Sequence, residues 1–141
     1  MEWLAISISI ISAFFAGWSW KESKKANSIS KHPMQLKIYD AFNELTFYVS
    51  INGMSLEMQE VAKFYKFSQK SEFYFDKSFA KQLKRYFDIC RKLADLNRKS
   101  LRDQEDDEKI EQIEREQDIL FDKEIQLSKE IEEKFKSILK L

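Results

Sequence analysis

Residues 3–20 read WLAISISIISAFFAGWSW, 18 positions without a charged side chain. As a helix the run covers about 27 Å, close to the roughly 30 Å of a bilayer's hydrocarbon core. Trp3 stands at one end, and Trp18 and Trp20 stand at the other. Indole rings favour the two headgroup zones, so the three tryptophans read as interfacial anchors. Lys21, Lys24 and Lys25 follow the run, and Lys31 follows them, whereas Glu2 is the one charged side chain in the first twenty residues. The lysine bias places the N-terminus outside and the remainder on the cytosolic side of an inner (plasma) membrane. A cleaved signal peptide calls for a basic leader and a small-x-small cleavage site. Here the residue before the run is acidic, and Trp18, Trp20 and lysines close it. A buried core helix of a globular domain calls for a polar face, which the run lacks. The expectation is a single-pass transmembrane helix over residues 1–20.

Small residues punctuate this segment with helical rhythm. Ala5, Ser9, Ser12, Ala16 and Ser19 recur at spacings of 4, 3, 4 and 3, and Ser9, Ala13 and Gly17 form a second row. In lipid, helices associate through close backbone approach and interhelical hydroxyl bonds, both of which small residues permit. One reading is self-association, with the serines packing against a neighbouring copy or lining a pore. The other is a lone anchor whose serines bond the carbonyl one turn back.

The rest of the chain reads as all-α. With two glycines, one proline and 34% charged residues, the composition favours helix. The expected organisation is a basic juxtamembrane linker over 21–33, broken at His32-Pro33, and then a cytosolic helical domain over 34–141. Leu36, Ile38, Ala41, Phe42, Leu45, Tyr48 and Val49 show a helical period that ends at Asn52-Gly53. Ser55 is placed to cap a short helix carrying Met58, Val61, Ala62 and Tyr65. The stretch FSQKSEFYFDKSF reads as a loop whose aromatics Phe73, Tyr74 and Phe75 plug into the core. Asp76 or Ser78 then caps a long helix with an apolar seam of Phe79, Leu83, Phe87 (with Tyr86), Cys90, Leu93, Ala94, Asn97 and Leu101. RDQEDDEK is either a charged connector or an exposed piece of one very long helix. Beyond it, Ile110, Ile113, Leu120, Leu127, Ile131 and Ile138 fall near heptad a and d positions, interrupted by Gln117, Glu124 and Lys134. That pattern fits a helical hairpin or a C-terminal oligomer zipper.

Catalytic signatures are missing from this sequence. The single His32 precedes the single proline, two glycines cannot build a phosphate-binding loop, and no His-Glu-x-x-His occurs. One cysteine and one histidine give no zinc set. Lone Cys90 forms no internal disulfide and reads as a buried thiol. No cofactor is expected, and the expectation is a protein that is not an enzyme.

Charge is zero overall but segregated. Residues 63–102 hold 12 basic and 4 acidic side chains, whereas residues 103–118 hold 9 acidic and 2 basic. Lys77, Lys84, Arg91 and Arg98 repeat every seven residues, with Arg85, Lys92 and Lys99 beside them. This basic surface suits the acidic stretch of the same chain or of a second subunit, an anionic leaflet, or the phosphates of a nucleic acid.

The segments KANSISKHPMQLKIYDAF and SEFYFDKSFAKQLKRYFDIC, set behind a single N-terminal span, resemble small bacterial membrane proteins with a cytosolic helical domain. Some of these accompany antiphage defence, including membrane accessory proteins of RNA-targeting CRISPR nucleases that assemble into pores. The resemblance implies a homo-oligomeric membrane effector or accessory protein, with a protein partner, that forms or gates a conduit. It carries no site residue across. Where such accessory proteins are HEPN-like, an Arg-x4–6-His spacing is expected; here no arginine precedes the histidine. The alternative reading is a membrane-tethered binding module whose basic helix recruits nucleic acid, anionic lipid or an acidic protein.

Overall fold

Ile38, Phe42, Leu45 and Val49 recur along one helical stripe and are all buried, which defines how the C-terminal half of the first helix meets the rest of the chain. The computed structural model describes residues 2–141, with side chains described for 19, 21–23 and 31–141. It contains five helices: α1 (Glu2–Asn52), α2 (Met58–Ala62), α3 (Tyr65–Tyr74), α4 (Lys77–Arg102) and α5 (Asp107–Leu139). No strand occurs among the described residues, so the chain is all-α. It divides into two compact units, Met1–Met34 and Gln35–Leu141.

Helix α1 runs through His32 and Pro33, so the expected break at this dipeptide does not occur. A proline forfeits one backbone hydrogen bond and crowds the preceding turn. Its bias on the residue before it is a preference and not a bar. Among the described residues, no helix is long and apolar enough to cross a membrane. The side chains that carry the anchor reading lie outside the described residues, apart from Ser19 and Lys21, which are exposed.

Within Gln35–Leu141, α1 ends where the sequence places its stop. Gly53 adopts φ +57°, and its N–H donates to the Val49 carbonyl at 2.8 Å. Glycine takes this left-handed conformation without the penalty a side chain would bring. Ser55 does not cap α2; Glu57 flanks its first turn and makes no side-chain cap bond. The Glu57 N–H donates instead to the Tyr48 hydroxyl at 2.8 Å.

The expected loop after α2 is helix α3. Its buried residues are Ser68 and Ser71. Their hydroxyls donate to Tyr65 and Ser68 carbonyls in their own helix, at 2.8 and 2.6 Å. Each hydroxyl is thereby satisfied without a partner across the interface, and its small volume lets α3 lie close against α4. Of the three aromatics, Phe75 enters the core, Tyr74 is half-buried, and Phe73 is exposed.

Asp76 caps α4, its Oδ1 accepting from the Phe79 N–H at 2.9 Å. The expected seam is buried from Phe79 to Ala94. Asn97 is half-buried and donates to the Leu56 carbonyl at 3.1 Å, while Leu101 is 63% exposed and leaves the seam. The helix stops at Arg102, and Asp106 caps α5, accepting from the Lys109 N–H. Residues 103–106 are therefore a short connector, the remainder of the acidic stretch opens α5, and α4 and α5 form a hairpin.

On α5 the buried positions Ile113, Gln117, Leu120, Glu124, Leu127 and Ile131 keep the heptad rhythm. The pattern then moves to Phe135 and Leu139 in place of Lys134 and Ile138, because a straight helix drifts about 20° per heptad from a 3.5-residue repeat. Phe135 is fully buried. Its ring centroid lies 4.9–5.5 Å from those of Tyr39, Phe42, Phe75 and Phe79. This cluster ties α1 and α4 to α5, and such pairs add about 0.5–1.5 kcal/mol each beyond area burial.

Candidate functional site

Helix α4 carries nine basic and two acidic side chains. Its apolar stripe is committed to the core, so the charges are forced onto the opposite face. Lys77, Arg85, Arg91, Lys92, Arg98 and Lys99 are exposed, and Lys84 is half-buried. All seven residues expected to form a basic surface thus share the outward side of one helix.

The ion pairs of this surface are local. Lys84 meets Glu72 of α3 at 2.7 Å. Arg91 reaches Asp88 at 3.7 Å, and Arg98 and Lys99 reach Asp95 at 2.6 and 3.1 Å. Hydrogen bonds from Lys99 and Arg98 hold the Asp95 carboxyl below its ordinary range. Among the described residues no ion pair joins α4 to α5; Arg102 reaches only its neighbour Asp103. The hairpin therefore does not neutralise the basic rows with the acidic stretch, because each helix turns its apolar side to the other and its charges to solvent.

Two open grooves flank Lys84. One of about 490 Å³ is lined by Tyr65, Phe87, Asp88 and Arg91 among others, and one of about 410 Å³ by Glu72, Phe73, Lys77, Ala80 and Lys81. Tyr65 and Phe73 are exposed beside the cations. Cationic rims with apolar floors suit a partner that offers carboxylates interleaved with aliphatic side chains.

Beneath this surface lies a polar cluster that the sequence only hinted at. The Tyr86 hydroxyl donates to Glu124 Oε1 at 2.6 Å, and the Thr46 hydroxyl lies 3.3 Å from it. Glu124 is 3% exposed and Tyr86 fully buried. Burial raises the Glu124 carboxyl above its ordinary value, opposed by the Tyr86 hydrogen bond. Burial also pushes the Tyr86 phenol and the Cys90 thiol upward, and the Glu124 charge adds to both shifts. Cys90 is thereby kept protonated and unreactive. The visible signals are Glu124 on the heptad seam and Tyr86 on the apolar seam of α4; their meeting across 38 residues is a tertiary fact that neither seam announces.

The residues expected to pack or line a membrane helix, Ala5, Ser9, Ser12 and Ala16, lie outside the residues whose side chains are described. So do the anchors Trp3, Trp18, Trp20, Lys24 and Lys25. Among the described residues no group of three His, Cys, Asp or Glu side chains could hold a metal ion. Comparison with protein-family models, with curated proteins and with solved structures gave no match.

Proposed function

We propose that this chain is a membrane-anchored, self-assembling accessory or effector protein that works without catalysis of its own and forms or gates a conduit through its clustered anchors. The observation that carries this reading is the uncharged, tryptophan-bounded run of residues 3–20 with its small-residue seam, closed by Lys21, Lys24 and Lys25. That run belongs to the same element, α1, that later supplies Ile38, Phe42, Leu45 and Val49 to the helical core. In this reading the N-terminus is outside, Gln35–Leu141 is cytosolic, and the antiphage accessory proteins that the layout resembles give the class of role. The charge-segregated surfaces of α4 and α5 supply a second means of association besides the anchor.

The test is the mass of the full chain in mild detergent beside that of residues 35–141, followed by ion flux across vesicles. A closed ring in the full chain, with conductance abolished by Ser9→Leu with Ser12→Leu, supports the conduit. A monomer, or flux untouched by the two substitutions, defeats it.

A second reading rests on the exposed basic face of α4: the anchor only localises a module that binds an anionic partner. In that case residues 35–141 alone retain partner binding, and affinity falls steeply with salt. Reversing Lys84, Arg91 and Arg98 to glutamate abolishes that binding.

A further inference from the structure

Lys77, Lys81, Arg85 and Lys92 are exposed on the outward side of α4 and have no ion-pair partner among the described residues. On α5, Asp107, Glu111, Glu114, Asp118 and Asp122 follow one another at spacings of 4, 3, 4 and 4. This acidic stripe also points outward. Among the described residues Glu111 alone of the five is paired, with Arg115. Both stripes span 16 residues, about 22 Å of helix axis from end to end. One chain thus presents two exposed stripes of equal length, one acidic and the other basic except for Asp88, which lies on its line and pairs with Arg91, and its own hairpin geometry keeps them apart.

The apolar neighbours fix a direction. Phe73 lies just before the start of the basic stripe and is 69% exposed in the groove it shares with Lys77 and Lys81. Ile125 lies one turn beyond Asp122 and is 38% exposed. Laying the stripes antiparallel brings Ile125 to the Phe73 groove, Asp122 and Asp118 to Lys77 and Lys81, Glu114 to Arg85 and Asp107 to Lys92, while Glu111 meets Asp88, each of these two already paired with an arginine of its own helix. Exposed ion pairs alone contribute little, so an apolar side chain seated among them is what such a contact needs.

We infer that α4 of one copy docks antiparallel on α5 of a second copy, with the basic stripe on the acidic stripe and Ile125 in the Phe73 groove. This names the cytosolic contact of the self-assembly proposed above and rests on that reading. The contact is heterologous, since two different faces meet. Each copy keeps one face free, and the chain of contacts closes into a ring when the rotation permits.

The test uses the full chain in mild detergent and two triple reversals. One is Lys77→Glu, Lys81→Glu and Arg85→Glu; the other is Glu114→Lys, Asp118→Lys and Asp122→Lys. All six side chains are exposed, and circular dichroism checks that helicity is unchanged. Should a reversal unfold, the corresponding alanine triple replaces it, with a weakening of tenfold or more expected. In sedimentation, each reversal alone is expected to lose the wild-type assembly, because three of the opposed positions then face like charge. Mixing the two reversals restores a complex of alternating copies. A wild-type assembly that both reversals leave intact overturns this contact while sparing self-assembly. Reversals that dissociate but do not recombine overturn the pairing and assign the basic stripe to another partner, such as anionic lipid. A monomeric wild type overturns the self-assembly reading and the contact together.

Discussion

Tyr86 shows how much one side chain settles inside this bundle. Its hydroxyl is the hydrogen-bond donor that Glu124 receives from another side chain in a nearly water-free setting. A buried carboxylate without a donor loses its hydration uncompensated. Burial raises the Glu124 carboxyl in the folded chain, so folding favours its protonated form. Between the unfolded value, about 4.3, and the raised folded one, the native state binds more protons than the unfolded state. The contribution of Glu124 to stability is therefore fully present below the unfolded value and is lost as pH rises through the folded one. Two outcomes are expected from chemical denaturation across this range. Tyr86→Phe costs about 2 kcal/mol at a pH above the raised Glu124 value and distinctly less at a pH below it, where Glu124 holds a proton. Glu124→Gln gains about 1 kcal/mol at a pH above the raised Glu124 value and flattens the pH dependence. A Tyr86→Phe penalty equal at both pH values would mean that the hydroxyl serves packing and not the charge.

At the scale of elements, helices differed in legibility according to what they bury. Helix α4 could be read with its cap because ten of its side chains are buried along one stripe and Asp76 stands where an N-cap belongs. The Asn52-Gly53 stop was legible for a similar reason, a residue type matched to a backbone need. Helix α3 could not be read, since its buried face is Ser68 and Ser71 and no apolar period announces it. Pro33 does not end α1, because its local preference yields to the helix formers around it. Among the candidate residues, the seven basic positions were legible from heptad spacing alone. That the acidic stretch does not cover them was not, because hairpin orientation is a tertiary fact. The α3 account makes a discriminating prediction. Ser71 is fully buried and bonded only to its own helix. Ser71→Ala should cost well under about 1 kcal/mol, whereas Ser71→Leu overfills the α3–α4 contact and should cost about 1–3 kcal/mol. Thermal unfolding of residues 35–141 gives both values. Equal losses would place the importance of Ser71 in its hydroxyl.

For the whole molecule, the formal net charge of zero hides a strong separation. Helix α4 holds nine basic and two acidic side chains, and α5 holds eleven acidic and six basic. With no net charge, copies do not repel one another at long range, and the separated stripes govern how they meet. Association through the small-residue seam of residues 3–20 would instead act inside lipid or detergent, where bulk salt does not reach. Ionic strength therefore distinguishes the two contacts. The Debye length falls from about 10 Å at 0.1 M salt to about 3 Å at 1 M, enough to screen exposed stripes and leave a helix seam untouched. The expected result is that residues 35–141 associate at low salt and separate at high salt. The full chain in detergent should lose only part of its mass over the same range, keeping a remnant held by its anchors. That remnant should in turn yield to Ser9→Leu with Ser12→Leu. A full chain whose mass ignores salt assigns assembly to the anchors alone. One that falls to a monomer at high salt leaves the serine seam facing lipid, its hydroxyls returned to the backbone one turn behind them.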